Sequence, residues 1–251
     1  MSDTPSIDDF MCGGFQKHSC LKTIRLMAET ESTNTLALEA QKDGAPFLAD
    51  VQTAGRGRRG NDWHSAPGKG LWLSVCLKGE PQGLTFLAAL ALLDTLSDLA
   101  EKMNCKTRPT IKWPNDLLWD GKKCAGILVE HRNGYCALGI GLNVNHSQAD
   151  FPDELQPTAT SLAIATGQSL DRKQVLTALL KHLNLQVKAH RTGQQEQIWK
   201  RWSKACNVIN HTISCSQGTG IVQELNRDGS LQVLMDKELV RITDGITILQ
   251  Q

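Results

Sequence analysis

A loop dense in glycine and arginine, placed between two apolar runs, most constrains how this chain can fold. The runs at 46–52 and 71–77 predict two strands of one sheet, and the sequence AGRGRRG at 54–60 lies in the connection between them. Its three glycines let the backbone approach a ligand closely, and its three arginines present guanidinium groups that bind anionic oxygens in pairs. The loop is therefore a candidate for holding a phosphate or an acyl phosphate.

Two other interpretations of this loop stay open from its own sequence. A basic loop in solvent, or one that contacts nucleic acid, also contains arginine and glycine, and a short motif alone does not decide between them. A dinucleotide fingerprint would require Gly55, Gly57 and Gly60 to open a helix, whereas segment 61–68 has the Asn, Asp, Ser, Pro and Gly content of a loop. The other motifs of the chain are needed to interpret this one.

Composition excludes several classes of protein. The 251 residues, 40% of them hydrophobic, suffice for one large domain or a large and a small one. The 27 basic residues nearly balance the 26 acidic ones, so no overall field draws the chain to nucleic acid or an anionic membrane. Eight cysteines without a C-x-x-C pair favour free thiols. With no signal peptide pattern and no apolar segment long enough to span a bilayer, we expect a cytoplasmic protein.

Helical periodicity predicts two long helices and a shorter one. Apolar residues at steps of three and four predict an amphipathic helix at 84–103. Asp171 with Gln174 resembles a capping box and predicts the start of a second long helix, which a helical stretch at 194–204 follows. Residues 1–20 show no clear period and predict a loosely ordered N-terminal arm.

A short helix is predicted after the sequence Ser32-Thr33-Asn34, with Gly44 closing its segment. Ser32 is in the position of an N-cap, which is its structural interpretation. The functional interpretation is that hydroxyl and amide groups at a helix N-terminus form a pocket for the polar head of a ligand. Both interpretations stay open from the sequence.

The middle of the chain predicts an antiparallel meander. K-W-P-N-D at 112–116 is expected on a strand, and the pairs at 120–121 (Asp-Gly) and 133–134 (Asn-Gly) are hairpin turn signals. The last strand leads into G-I-G-L-N-V-N at 139–145, where glycines allow a flat ligand to lie against the backbone. From 207 onward, short alternating runs separated by glycine-containing turns predict a small β-barrel.

Four separated motifs now occur in one order: the S-T-N cap, the loop with Trp63, K-W-P-N-D with G-K-K-C-A-G-I, and G-I-G-L-N. In this order and spacing they resemble the catalytic domain of a biotin protein ligase, over residues 24–250. The resemblance implies an α+β fold: a mixed, largely antiparallel sheet flanked by helices, similar to class II aminoacyl-tRNA synthetases, with a small C-terminal SH3-like β-barrel. We expect an N-terminal arm at 1–20, a catalytic domain at 21–204 and the barrel at 205–251.

The resemblance also implies roles for individual residues. Biotin is expected to contact Ser32, Thr33, Asn34, Gln52, Gly55, Arg56, Arg58, Lys123 and Gly126. The nucleotide is expected to contact Arg58, Trp63, Lys123 and Asn143, and the residues expected to act in catalysis are Lys123, Arg58 and Asp116.

The implied reaction uses ATP to activate the carboxylate of biotin as biotinyl-5'-AMP and then transfers biotin to a lysine of a biotin carboxyl carrier protein. Lys123 and the loop arginines would neutralise charge at the α-phosphate. Mg²⁺ is expected to arrive on ATP, with no metal site in the chain itself. Asp116 is a candidate to position or deprotonate the attacking amine, and a simple turn carboxylate is the alternative.

Two departures from the family pattern modify these expectations. Asn61 stands where many members have arginine, so we expect a triphosphate contact from elsewhere, for example from Lys69. Only about thirty residues precede Ser32, too few for the helix-turn-helix domain of the DNA-binding members. We therefore expect a ligase without repressor activity, a monomer or weak homodimer. The alternatives are a lipoate or octanoate ligase on the same fold and a nucleic-acid-binding module.

Overall fold

The structure, a computed structural model, describes residues 19–243 and 245–249 and contains two β-sheets. The predicted N-terminal arm lies outside the described residues except for its last two positions. The first sheet consists of β1 (Arg25–Thr30), β2 (Ala45–Gln52), β3 (Gly70–Lys78), β4 (Thr110–Lys112), β5 (Asp116–Trp119), β6 (Lys122–Arg132) and β7 (Tyr135–Asn143). The second consists of β8 (Thr212–Cys215), β9 (Gly218–Leu225), β10 (Leu231–Met235), β11 (Glu238–Ile242) and β12 (Thr247–Ile248). The helices are α1 (Thr33–Ala40), α2 (Leu84–Lys102), α3 (Leu162–Thr166), α4 (Arg172–Arg191) and α5 (Gln195–Cys206).

The first sheet has the strand order β1-β2-β3-β7-β6-β5-β4. Only its β1–β2 pair is parallel, and all its other pairs are antiparallel. The predicted mixed, largely antiparallel sheet is thus confirmed. β1 itself was not predicted.

Strand β3 explains how the two faces of this sheet differ. Leu71, Leu73 and Val75 belong to the large core cluster that contains α2 and α4, whereas Cys76 belongs to a small cluster with residues of α1. Side chains alternate between the faces of a strand, so Ser74 lies on the α1 face. Among the described helices, the long α2 and α4 therefore cover one face of the sheet, and the short α1 covers part of the other.

The helix predictions at 84–103 and 194–204 are confirmed within two residues at each end, whereas α1 ends at Ala40 with Gln41 as its C-cap, before the predicted Gly44. α2 spans Leu84–Lys102, where 84–103 was predicted, and α5 spans Gln195–Cys206. Asp171 caps α4 as predicted, because its side chain accepts hydrogen bonds from the backbone N–H groups of Lys173 and Gln174. Both predicted hairpin turns are also present, with all four of their residues at positive φ.

The expectation that K-W-P-N-D forms a strand is wrong. Strand β4 ends at Lys112 and β5 begins at Asp116, so the residues between them form a turn. The physical reason is Pro114, which has no N–H to donate to a neighbouring strand. The turn places Asn115 against β6, where its side chain donates to the Ile127 carbonyl at 2.8 Å.

The second sheet is antiparallel and packs directly against the first part of the chain. Its order is β11-β10-β9-β8-β12, with β11 and β12 at its edges. The Trp113 indole N–H donates to the Gly229 carbonyl at 2.7 Å, and Trp202 stacks on Phe86 with ring centroids 4.1 Å apart. Most buried apolar residues of the first sheet and those of the second sheet belong to one continuous cluster. The domain boundary at 204/205 stays a prediction.

The cysteines in the described part of the chain are all free thiols. Burial raises the pKa of Cys124 and of Cys206 to about 12, which keeps both protonated at neutral pH. Among the described helices, none combines the length and the apolar character that crossing a bilayer requires.

Candidate functional site

The loop, the start of α1 and strands β3, β6 and β7 surround one pocket on the α1 face of the first sheet. Its cavity volume is about 50 Å³, room for a few water molecules. The residues that line it are Ser32, Thr33, Asn34, Gln52, Arg56, Gly57, Arg58, Trp63, Leu73, Ser74, Asn115, Lys123, Gly126, Ile127, Leu128, Gly139, Ile140 and Gly141. A ligand larger than a few waters would need some of these side chains to move.

The arginine–glycine loop has a defined backbone shape. The Gly57 N–H donates to the Asn61 carbonyl at 2.7 Å, and the Trp63 N–H donates to the Gly55 carbonyl at 2.8 Å. These two bonds close a hairpin-like turn, whose tip is a short 3₁₀ turn at Arg58–Gly60. The loop folds back on itself, so Arg56 and Trp63 both face the sheet.

Trp63 lies on a flat surface made by two glycines of neighbouring strands. Gly126 of β6 and Gly141 of β7 are register partners, so their Cα hydrogens point to the same side of the sheet. A Cβ on Gly126 would lie 2.7 Å from Trp63 Cζ3, and one on Gly141 would overlap the indole as well. The Lys123 ammonium lies 5.1 Å from the Trp63 ring centroid, within range of a cation–π contact.

The N-terminus of α1 forms the floor of the pocket. Ser32 has the extended backbone of an N-cap, but its side chain makes no capping hydrogen bond within the described structure. The Thr33 N–H donates to Gln52 Oε1 at 2.9 Å, and the Thr33 hydroxyl oxygen lies 3.1 Å from the same atom. Gln52 in turn donates to the Ser65 hydroxyl at 3.2 Å. The helix therefore leaves the Ser32 hydroxyl, which is almost fully buried, available to the pocket.

Two residues of this region were missed from the sequence. Ser74 donates to Asn34 Oδ1 at 2.6 Å and contacts the Thr33 hydroxyl at 2.6 Å. Glu130 accepts from Asn34 Nδ2 at 2.7 Å and pairs with Arg56 at 3.0 Å. The sequence offers one weak signal for each residue: Ser74 is a serine inside an apolar strand, and Glu130 is a carboxylate near the end of a strand.

Lys123 is held both by its backbone and by its side chain. Its N–H donates to the Thr158 carbonyl at 2.7 Å, and its carbonyl accepts from the Thr160 N–H at 2.9 Å. Its ammonium forms an ion pair with Asp116 Oδ1 at 2.8 Å. Asn143 belongs to the same region, since its side chain donates to the Thr160 carbonyl at 3.1 Å. One chain segment thus connects the lysine to the end of β7.

Lys69 does not line the pocket in the described structure. Its ammonium pairs with Asp150 Oδ2 at 3.1 Å, an oxygen that also accepts from the Ser147 N–H and hydroxyl at 2.7 Å. These hydrogen bonds hold the pKa of Asp150 at about 2, overcoming the opposite effect of its burial. The expectation that Lys69 replaces the missing arginine at Asn61 therefore requires this ion pair to break.

A buried histidine lies behind the loop. His146 is fully buried and stacks on Phe151 with ring centroids 4.8 Å apart, and its ring nitrogens have no hydrogen-bond partner among the described residues. Burial, followed by the charge of His64, lowers its pKa from 6.5 to about 4, with Asp150 opposing and Lys69 and Arg172 adding to the shift. The unfolded chain then binds a proton that the folded chain does not, so stability falls as pH decreases from about 6.5 to about 4.

Nine of the twelve predicted site residues line the pocket, namely Ser32, Thr33, Asn34, Gln52, Arg56, Arg58, Trp63, Lys123 and Gly126. Of the other three, Gly55 lies under the Trp63 carbonyl, where a Cβ would be 2.8 Å from that oxygen. Asp116 and Asn143 lie beside the pocket, next to Lys123 and to the segment that holds it. The sequence motifs therefore converge in space, and their chemical roles stay predictions.

The comparisons with known proteins agree with this geometry. Residues 26–146 match the model of the biotin/lipoate A/B protein ligase family. The chain is 41% identical over 167 residues to the bifunctional ligase/repressor BirA of Bacillus subtilis, covering 62% of this chain and 50% of that protein. It is 37% identical over 172 residues to the biotin--[acetyl-CoA-carboxylase] ligase of Paracoccus denitrificans, covering 61% of this chain and 68% of that protein. A solved structure, biotin protein ligase from Aquifex aeolicus in complex with biotin and ATP, superposes with a TM-score of 0.78 at 27% identity, over 92% of this chain and 100% of that one.

The match over residues 26–146 and the superposition at a TM-score of 0.78 place this fold in the biotin/lipoate A/B protein ligase class. The matches to the Paracoccus and Aquifex proteins are more specific. They show that the chain belongs to the biotin protein ligase family. It spans about half the length of the Bacillus relatives that it matches.

Proposed function

We propose that this chain is an ATP-dependent ligase that activates biotin as biotinyl-5'-AMP and transfers it to a lysine of a biotin carboxyl carrier protein. The observation that carries the proposal is one pocket on which the basic loop, the polar start of α1 and Lys123 converge. The names of the relatives support the substrates, because the Aquifex protein is solved with biotin and ATP. The Paracoccus relative's name supports a carboxylase as the acceptor.

The charges of the pocket suit the first step. A carboxylate oxygen of biotin attacks the α-phosphorus of ATP, pyrophosphate leaves, and negative charge builds between the two reactants. Lys123 and Arg58 both line the pocket and are the groups that would neutralise this charge. Asp116, 2.8 Å from the Lys123 ammonium, holds that ammonium in place before the substrates bind.

The same carboxylate suits the second step. The amine of the acceptor lysine attacks the acyl carbon, AMP leaves, and the amine nitrogen loses a proton. Asp116 is the proposed acceptor or orienting group for that proton, because it is a carboxylate 2.8 Å from the Lys123 ammonium and its side chain is less exposed than that of Lys123.

The remaining pocket groups suit a flat bicyclic ring. Glycines at 126, 139 and 141 place no side chain of their own on this face of the sheet, where Trp63 lies against two of them and Asn34 against the third. Hydroxyl and amide groups of Ser32, Thr33 and Gln52 provide donors and acceptors for a urea-like ring edge. These features are proposed to select biotin over lipoate, whose dithiolane ring has no such polar edge.

Magnesium is proposed to arrive with the nucleotide. Among the described residues, no cluster of three or more His, Cys, Asp or Glu side chains could hold a metal. The carboxylates nearest the pocket, Asp116 and Glu130, are each paired with a cation. Magnesium usually keeps several waters and binds through substrate phosphates with one or two carboxylates. Asp116 is the residue that would contact it, and the ion would shield the charge of the triphosphate.

The proposal is tested by ATP–pyrophosphate exchange measured with biotin, with lipoate and with neither. Exchange that depends on biotin, followed by labelling of a carboxyl carrier domain, is the expected result. Exchange with lipoate alone would favour the lipoate ligase alternative, and no exchange with either acid would contradict both.

The absence of repressor activity, a monomeric or weakly dimeric state and a cytoplasmic location stay predictions. The near balance of 27 basic and 26 acidic residues supports weak attraction to DNA, because non-specific DNA affinity depends on neutralising phosphates. A gel-shift titration at low salt, with and without biotin and ATP, tests this. Sequence-specific binding in either condition would contradict the prediction.

A further inference from the structure

Glu130 is the least expected residue at the site. It lies on β6 opposite Ala137 of β7, on the pocket face of the sheet. Its side chain is 30% exposed, so it lies at the rim of the pocket between the loop and α1. Neither the motifs nor the family resemblance assigned it a role.

The carboxylate holds the loop through Arg56. Arg56 Nη2 donates to Glu130 Oε2 at 3.0 Å and to Oε1 at 3.2 Å. Both terminal nitrogens of Arg56 also lie 3.2 Å from the Thr35 hydroxyl, on the first turn of α1. Arg56 is therefore fixed between a strand and a helix. A single exposed ion pair contributes little, but an arginine held by several acceptors at once loses much of its freedom.

The same carboxylate helps to set the direction of the hydrogen bonds in the pocket floor. An ionised carboxylate only accepts, so the group that Asn34 turns toward Glu130 must be its NH₂. Asn34 Oδ1 then faces Ser74 and accepts a hydrogen bond from its hydroxyl at 2.6 Å. The Ser74 oxygen is left to accept from the Thr33 hydroxyl, 2.6 Å away. Asn34 Nδ2 also donates to the Leu128 carbonyl at 3.3 Å, so Glu130, at the shorter distance of 2.7 Å, and this backbone oxygen together determine which atoms of the floor are donors and which are acceptors.

We infer that Glu130 is a positioning residue of the ligase site: it fixes the loop over the pocket through Arg56 and orients the Asn34 amide beneath the ligand. The inference rests on the proposed function for its effect on biotin. Its effect on the loop is independent of any activity. Both effects follow from one oxygen, Glu130 Oε2, which accepts from Asn34 and from Arg56.

The first measurement is tryptic cleavage of the purified protein, with cleavage sites identified by mass spectrometry. Trypsin cleaves after Arg56, Arg58 and Arg59, and cleavage follows the fraction of time that the loop is open. Glu130→Ala should raise the cleavage rate in this segment about fivefold or more, and Thr35→Ala should raise it less. His131→Ala, the exposed neighbour on the other face of β6, is the matched control and should behave as the parent.

The second measurement is the kinetics of biotin-dependent pyrophosphate exchange. Glu130→Ala should raise KM for biotin about tenfold and change kcat by less than about threefold, because it loosens binding of substrate and transition state alike. Glu130→Gln keeps one carbonyl oxygen and should fall between parent and Glu130→Ala in both assays. If Glu130→Ala melts far below the parent, Glu130→Gln takes its place as the test variant.

Unchanged cleavage and unchanged KM in Glu130→Gln and Glu130→Ala, with melting temperatures near that of the parent, would overturn the inference. Faster cleavage without a change in KM would also overturn it, because the loop would then be fixed without any benefit to the ligand. A parent that shows no biotin-dependent exchange would refute the proposed function instead. In that case the cleavage assay still decides whether Glu130 fixes the loop.

Discussion

Lys123→Ala offers the most direct test of the proposed chemistry, because this lysine lines the pocket and has an ion-pair partner at 2.8 Å. A unit charge about 3 Å from a developing negative charge is worth roughly 5 kcal/mol at an effective dielectric constant near 20. Solvent reduces this value, since the Lys123 side chain is 36% exposed. Loss of one preorganised charge partner usually costs about 3–4 kcal/mol, so adenylation should slow by a factor of about 10² to 10³.

The fold should survive this change. The backbone of Lys123 keeps its hydrogen bonds to Thr158 and Thr160, because these do not involve the side chain. The ion pair with Asp116 is partly exposed and contributes about 1 kcal/mol or less, which corresponds to a melting shift of roughly 2–4 °C. The assays are pyrophosphate exchange and thermal melting, with Lys122→Ala as the control. Exchange within about tenfold of the parent in a folded Lys123→Ala variant would remove this lysine from the mechanism.

Three further predictions address the loop, the second sheet and the buried histidine. Arg58→Gly should still form biotinyl-adenylate but release it, so a lysine-rich bystander protein becomes labelled; labelling confined to the carrier would refute this. Deletion of 207–251 removes the Gly229 carbonyl that Trp113 donates to and exposes the shared core, so cooperative melting should be lost; a truncated protein that melts like the parent would contradict it. His146→Phe should abolish a loss of about 2 kcal/mol in unfolding free energy between pH 7 and pH 5, and equal losses in urea titrations of both proteins would show that His146 is not the cause.

The parts of the fold that the sequence predicted are those specified by local chemistry. Asn133-Gly134 and Asp120-Gly121 adopt positive φ, which few other pairs tolerate, so both hairpins could be placed from their turns alone. β1 was missed because its partner strand is parallel and its paired residues lie 22 positions further along the chain, so no local turn indicates the pairing. K-W-P-N-D was placed on a strand although proline favours the turn that the structure has there.

The site shows the same division between local and non-local information. The cap, the loop and Lys123 could be identified because each lies in a short motif with its own chemistry. Ser74 and Glu130 could not, because their roles depend on strand register: Ser74 pairs with Gly139, and Glu130 lies two residues along β6 from the partner of that glycine. Register over the whole sheet decides which polar side chain faces Asn34, and no single segment contains that information.

The three loop arginines look equivalent in the sequence, yet each contacts a different part of the fold. Arg56 is bound by Glu130 and Thr35, and Arg58 donates to Asn115 Oδ1 at 3.4 Å, in the turn between β4 and β5. Arg59 adopts φ 60° and packs on Gly245 of the C-terminal part, where a Cβ would lie 2.7 Å from its Cζ atom. Because the guanidinium groups diverge, their mutual repulsion is reduced and only two of them line the pocket. The loop is thereby tied to the sheet, to the K-W-P-N-D turn and to the C-terminal sheet, so movement of any one of these elements changes how the loop covers the ligand.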